Sequence, residues 1–220
     1  MRSIAQYAIL WDMDGVLIDT GHFHFIAWME TFRERSIPFS QEQFRETFGM
    51  NNAGILEYML GEKPSQELLL EISDQKESSF RNAVKGQVVL LPGVASWLKR
   101  LNEWGCKQAI ASSAPLENID ALVDELEIRT YFDAIVSGFD LPGKPDPALF
   151  LKTAAQIGLS PNRCIVFEDA IAGVRGAKRA GMQCIAVTTT NLASDLVEAD
   201  LVVDSLDQLR EEALIQALNE

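Results

Sequence analysis

Basic residues, cysteine and long apolar runs are all scarce in this 220-residue sequence. Lysine and arginine number 19 against 32 aspartates and glutamates, which leaves a net charge of −13. A nucleic acid or an anionic membrane surface requires a basic face, so neither is expected as a partner. No apolar run approaches the roughly 20 residues that cross a bilayer. The opening Met1-Arg-Ser-Ile-Ala-Gln-Tyr7 has no signal-peptide pattern, and a cytoplasmic protein is expected. The three cysteines, Cys106, Cys164 and Cys184, are odd in number and lack metal-ligand spacing. They read as buried reduced thiols, not as a disulfide framework.

What is present is enough apolar residue for a sizeable core, 47% of the chain, with 23% charged. Tyr7-Ala-Ile-Leu-Trp11 is apolar on both faces, the pattern of a buried parallel strand. From about Gly21 to Gly86 the periodicity is helical. Ser65 is the expected N-cap of a long amphipathic helix reaching Val84, and Thr20 of the first helix. From Val88 onward strands and helices alternate. Strands are predicted at Lys107–Ala111, Ala134–Val136, Cys164–Phe167, Cys184–Val187 and Leu201–Val203. Helices are predicted at Val94–Trp104, Pro115–Glu127, Pro147–Ile157, Ala170–Ala180 and Leu206–Ala217. The last has a Ser205/Gln208 capping-box pattern. Gly173 and Gly176 are read as allowing close helix–sheet packing. Alternation of this kind implies a mostly parallel sheet. The expected fold is α/β, a parallel-sheet core with an α-helical segment inserted after its first strand. No repeat or low-complexity segment interrupts it.

The strand ends carry the chemistry. Asp12 and Asp14 follow the first strand, Ser112 and Ser113 the second. Lys144 lies beyond the third, in Gly143-Lys144-Pro145-Asp146-Pro147, and Glu168 and Asp169 end the fourth. In an open parallel sheet these ends share one edge, where ligands bind. Clustered carboxylates repel one another unless a cation sits among them. Oxygen ligands without a His or Cys cluster favour Mg²⁺. A lysine, hydroxyls and loop N–H groups suit a phosphoryl group. One carboxylate could attack phosphorus, and a second, two residues on, could move the proton.

Asp12-Met-Asp14-Gly-Val, Ser112-Ser113, Lys144-Pro-Asp-Pro and Glu168-Asp169 resemble the four ordered motifs of the haloacid dehalogenase superfamily. The helical insertion resembles the cap of its β-phosphoglucomutase-like phosphatase branch. The resemblance implies a Rossmann-like core of residues 1–20 and 88–220, and a cap of residues 21–87 closing over the substrate. It makes Asp12 the nucleophile and Asp14 the acid/base. Asp12, Asp14 through its backbone carbonyl, Glu168 and Asp169 would surround Mg²⁺, and Ser112, Ser113 and Lys144 would hold the phosphoryl group. Dehalogenases of the superfamily lack the second aspartate, which favours phosphoryl transfer. In the cap, His24 and Lys76 match a hinge histidine and a cap lysine of β-phosphoglucomutases. Asn52 stands near the position of their phosphate-gripping arginine, and an amide cannot supply charged bidentate recognition. The implied activity is therefore hydrolysis of a small phosphorylated metabolite such as a sugar phosphate, with a sugar phosphomutase as the alternative. A non-enzymatic phospho-acceptor module is the third reading; such modules are shorter and have no cap. The oligomeric state is left open, a monomer included.

Overall fold

The computed structural model describes residues 4–217. The predicted first strand is β1 (Ala8–Trp11), with all its residues fully buried. It is followed by β2 (Lys107–Ser112), β3 (Ala134–Ser137), β4 (Cys164–Glu168), β5 (Gln183–Val187) and β6 (Leu201–Val203). These form one parallel sheet in the order β3-β2-β1-β4-β5-β6, so β1 is interior. Side chains alternate across a strand. Ile9 and Trp11 enter one apolar layer, Ala8 and Leu10 the other. The first layer is completed by α5 (Val94–Glu103), α6 (Leu116–Glu125) and α9 (Glu211–Ala217). The second is completed by α7 (Ala148–Ile157) and α8 (Ile171–Arg179). Two covered faces explain why β1 is an unbroken apolar run. The three cysteines are free and buried, as expected.

β2, β3 and β4 each run one residue past the predicted end, onto Ser112, Ser137 and Glu168. The backbone ladder continues there whatever the side chain, with Ser112 opposite Ser137 and Glu168 opposite Ala186. Two of the candidate site residues, Ser112 and Glu168, are thus the last residues of strands, held by sheet hydrogen bonds.

The C-terminal region departs from expectation. In place of one helix over Leu206–Ala217 there is a 3₁₀ turn, Leu206–Gln208, and then α9. The Ser205/Gln208 capping box does not form, because the Ser205 hydroxyl bonds the Asp207 carboxylate. A tertiary contact holds the turn instead: Trp97 Nε1 of α5 donates to the Leu206 carbonyl at 2.8 Å.

Between β1 and β2 lie α1 (Gly21–Glu34), α2 (Gln41–Thr47), α3 (Asn52–Leu60) and α4 (Gln66–Val84), after which α5 returns the chain to the sheet. Ser65 caps α4 as predicted, accepting from the Leu68 N–H at 3.2 Å. Trp28, Phe32, Ile55, Leu56 and Ile72 give this helical insertion an apolar cluster of its own. Ala27, Phe80 and Val84 pack into the sheet's layer instead, so the two parts share a seam. The chain leaves and re-enters the sheet side by side: Ile18 bridges Leu90, and the Leu91 N–H donates to Leu17 O at 3.0 Å.

Candidate active site

The strand order reverses at β1 and β4, and the carboxyl ends at such a point form the crevice of an open α/β sheet. Asp12 extends β1, its N–H donating to Phe167 O at 3.0 Å. The chain then turns back on itself, with the N–H groups of Val16, Leu17 and Ile18 converging on the Met13 carbonyl. Gly15 makes the turn at a φ of 85°, and a Cβ there would run into the Asp169 carboxylate. Both the left-handed backbone and the close approach require glycine. Gly173 likewise lies against the Glu168 side chain of β4, the close helix–sheet packing read from the sequence, whereas Gly176 lies against Phe150 of α7, a helix–helix contact.

Lys144 Nζ donates to Asp12 Oδ1 at 2.8 Å and to Glu168 Oε1. Glu168 Oε2 accepts the N–H groups of Asp169 and Ala170, each at 2.9 Å. Asp169 Oδ2 accepts from the Thr190 hydroxyl, while its Oδ1 is buried with no hydrogen-bond partner. One oxygen from each of Asp12, Glu168 and Asp169 lies within 4.8 Å of the others. Burial pushes the Asp12 carboxyl up to about 8; Lys144 opposes the rise, and Glu168 and Asp14 add to it. Asp169 is also raised by burial, with Glu168 and Asp12 adding to the effect. Burial alone would lower Lys144, but Asp12 and Glu168 outweigh it and hold the ammonium above its usual range. Three buried carboxylates face one ammonium, and a buried oxygen is left unpartnered. An oxygen-liganded divalent cation such as Mg²⁺ fits this set. Asp12 and Asp169 have oxygens to offer it. Glu168 is already engaged by three donors, which suits a supporting role better than direct ligation.

Asp14 turns away from this cluster toward the insertion. Its Oδ1 accepts from the Thr20 hydroxyl and meets His24 Nε2 at 3.1 Å. Burial would raise its carboxyl, but His24, Thr20 and Lys76 outweigh it and hold it at about 2. Thr20 does stand at the N-cap of α1, yet its side chain does not cap the helix, being committed to Asp14. The His24 ring stacks on Phe80, centroids 3.9 Å apart. Its Nδ1 meets Lys76 Nζ at 2.9 Å. An ammonium only donates, so Nδ1 accepts and the Nε2 proton faces Asp14.

The contacts continue outward. Lys76 Nζ donates to Glu77 Oε1 at 2.9 Å, and Asn52 Nδ2 donates to the same oxygen at 2.8 Å. Asn118 Nδ2, on α6, donates to Glu77 Oε2 at 2.6 Å. Asn52 is therefore committed to Glu77. Sequence reasoning missed Thr20 as a partner of Asp14, and missed Glu77 and Asn118 altogether. An acid on an amphipathic helix reads as a solvated face, and only the packing of α4 on α6 shows otherwise. Ser112 is buried and its hydroxyl accepts from the Ala114 N–H at 3.1 Å. The Ser113 hydroxyl instead reaches across to the Gly49 carbonyl at 3.1 Å, and Asn51 Nδ2 reaches the Leu141 carbonyl at 2.9 Å. These contacts close the insertion over the strand ends. Asp12, Asp14, His24, Trp28, Asn52 and Lys76 help line the remaining cavity of about 50 Å³.

The family model of haloacid dehalogenase-like hydrolases matches residues 8–181. The chain belongs to that family. It is 32% identical to the β-phosphoglucomutase of Bacillus subtilis, over 94% of this chain and 93% of that one. It is 31% identical to a phosphorylated carbohydrates phosphatase of Thermotoga maritima, over 89% and 92%. The solved β-phosphoglucomutase of Clostridium difficile superposes with a TM-score of 0.87 at 27% identity, covering 97% of each chain. This hydrolase therefore sits in the β-phosphoglucomutase-like branch and is an enzyme of the phosphatase type, with the helical cap of its structural neighbours. No helix among its described residues is long and apolar enough to cross a membrane.

Proposed function

We propose that this hydrolase is a Mg²⁺-dependent phosphatase that cleaves a small phosphorylated, sugar-like metabolite through an aspartyl phosphate on Asp12. The observation that carries the reading is the parting of two carboxylates two residues apart. Asp12 lies in the Lys144 cluster, and Asp14 is held outside it by Thr20 and His24.

An Asp12 oxygen attacks phosphorus, and the bond to the substrate's leaving oxygen breaks. Asp14 protonates that oxygen as it leaves. A water then attacks the phosphoryl group and gives its proton to Asp14, and the Asp12–phosphorus bond breaks. The net change is ester plus water to alcohol plus phosphate. A carboxylate held at about 2 is in its base form when water must be deprotonated, so the proton it passes to the leaving oxygen in the first step must enter with the substrate, as the proton of the phosphate monoester monoanion. Lys144 and the Ser112–Ala114 turn, with its N–H groups, carry the charge of the transferring phosphoryl. Mg²⁺ on Asp12 and Asp169, the backbone carbonyl of Asp14 completing its site, would neutralise charge between nucleophile and phosphoryl oxygens.

Residues 21–87 would act as the cap, opening to admit substrate. The cavity of about 50 Å³ holds no sugar phosphate, so the contacts of Ser113 with Gly49 and of Asn51 with Leu141 must part in each cycle. The mutase relatives and the His24–Lys76 pair favour phosphomutase activity as a second reading. Against it, Asn52 stands where a mutase needs a phosphate-binding cation, and it is tied to an acid.

The test is a panel of sugar phosphates incubated with the protein and Mg²⁺. Release of inorganic phosphate from at least one, lost on chelation, is the expected result. Conversion of β-glucose 1-phosphate to glucose 6-phosphate without phosphate release would replace this reading with the mutase.

A further inference from the structure

We infer that Glu77 selects for a leaving group that is an uncharged polyol and rejects one that carries a second phosphoryl group. The inference rests on the phosphatase reading above and adds what the cap recognises.

The polar contacts give an ordered path from the reacting centre outward: Asp14, His24, Lys76, then Glu77. A leaving group displaced from Asp12 past Asp14 extends along this path. Glu77 is only 4% exposed, yet it borders two spaces. One is the closed cavity; the other is an open cleft of about 700 Å³ between α4, the start of α6 and the loop after β3. It is the wall that the far end of a bound substrate would meet.

The chemistry at that wall suits hydroxyls. An ionised carboxylate offers about four acceptor positions, and donors from Lys76, Asn52 and Asn118 use three. Lys76 has three protons and commits two, to His24 and Glu77. A sugar hydroxyl therefore has one acceptor position left to it, on Glu77 Oε2, while the Lys76 ammonium also lies over the Trp28 and Phe80 rings, 5.5 and 5.2 Å from their centroids. A second phosphoryl group finds the reverse of what it needs. Lys76 is already neutralised by Glu77. The charged groups lining the cavity are Asp12, Asp14 and Glu77 against Lys76, with no arginine. Arg81 lines the outer cleft, where Asn118 Oδ1 accepts from it at 2.8 Å. Placing a dianion against a buried carboxylate is the repulsive element that specificity requires. Like charges so placed shift preference by roughly a hundredfold.

Glucose 6-phosphate and glucose 1,6-bisphosphate differ only in the second phosphoryl group. The experiment compares kcat/KM for the two, by phosphate release, in the wild-type protein, Glu77→Gln, Glu77→Asp and Asn52→Arg. Wild type and Glu77→Asp should prefer the monophosphate roughly a hundredfold. Glu77→Gln and Asn52→Arg should each narrow that preference to about tenfold or less. A purely structural role for Glu77, tying α4 to α6, would lower both values together and leave their ratio unchanged, which overturns the inference. So does wild-type protein that hydrolyses both equally, a result that stands even if the variants do not fold. Either leaves the phosphatase reading intact. Failure to release phosphate from any monoester, p-nitrophenyl phosphate included, overturns the phosphatase reading and the inference with it.

Discussion

The strand-end cluster and the cap-side contacts meet at Asp12-Met13-Asp14 but are built on opposite electrostatic terms. At the strand ends, Asp12 and Glu168 share one ammonium, Asp169 lies within the same cluster without an ion pair of its own, and its Oδ1 has no partner. On the cap side, Asp14 and Glu77 are matched by His24, Lys76, Thr20, Asn52 and Asn118, so neither carboxylate is left unpaired. Burial raises Asp12 and Asp169 above the usual carboxylate range, while on the cap side the partners overcome burial and hold Asp14 and Glu77 below it. A buried site left short of positive charge is prepared to receive some. A buried site already balanced positions and selects.

The hardest test of this division is Asp12→Asn. Turnover should fall by roughly ten-thousand-fold or more, since Glu168 is tied up by three donors and Asp169 is assigned to the cation, which leaves Asp12 as the proposed nucleophile. The thermal midpoint should hold or rise, because a strained carboxylate is removed. A variant retaining appreciable turnover would move the attacking group out of the strand-end half.

Gly15→Ala comes next. It forces a side chain against Asp169 and a φ of 85° on alanine. A loss of about 1–3 kcal/mol in denaturant unfolding is expected, together with weaker Mg²⁺ stabilisation. Unchanged Mg²⁺ affinity by calorimetry would separate Asp169 from the cation.

The two halves should also respond to pH with opposite sign. Asp12 has a folded value of about 8 against 3.8 for the free group, so its unfavourable contribution appears as pH rises through that window. A bound cation cancels it. Mg²⁺ should therefore raise the thermal midpoint more at about pH 8 than at about pH 5. Asp14, held at about 2 from 3.8, contributes stability above that ordinary value and loses it as pH falls through the same interval. That contribution is about 2 kcal/mol. An equal Mg²⁺ effect at both pH values would break the contrast.

The smallest expected effect belongs to the seam between the halves. Gly49→Ala would bring a Cβ within 2.8 Å of the Ala170 Cβ, where the backbone has a φ of 83°. Closure should weaken, with KM rising roughly threefold to tenfold and kcat changing less. A fall in kcat alone would place Gly49 in the chemistry and not in the closure.

The parts that were legible in the sequence are those that local pattern governs. Apolar runs marked every strand of the sheet, and Ser65 marked the start of α4. The motif residues fell at strand ends because a parallel sheet puts them there. The misreadings share a cause. Ser205/Gln208 satisfied a local capping pattern, yet the contact from Trp97 fixed a 3₁₀ turn at that point. Thr20 had the right position for a cap and a better acceptor in Asp14.

By itself, then, the sequence determined the α/β frame and which carboxylates, hydroxyls and lysine stand on one edge, because burial and backbone geometry follow from residue type and spacing. Only the tertiary structure decided how those groups divide. Asn52 and Asn118 reach Glu77 from positions 25 and 41 residues away. No local pattern encodes such partners, since they are set by how helices of the cap pack against one another and on α6. The edge proposed to perform the reaction was written along the chain, and the wall proposed to choose the substrate was made by the folding of one part onto another.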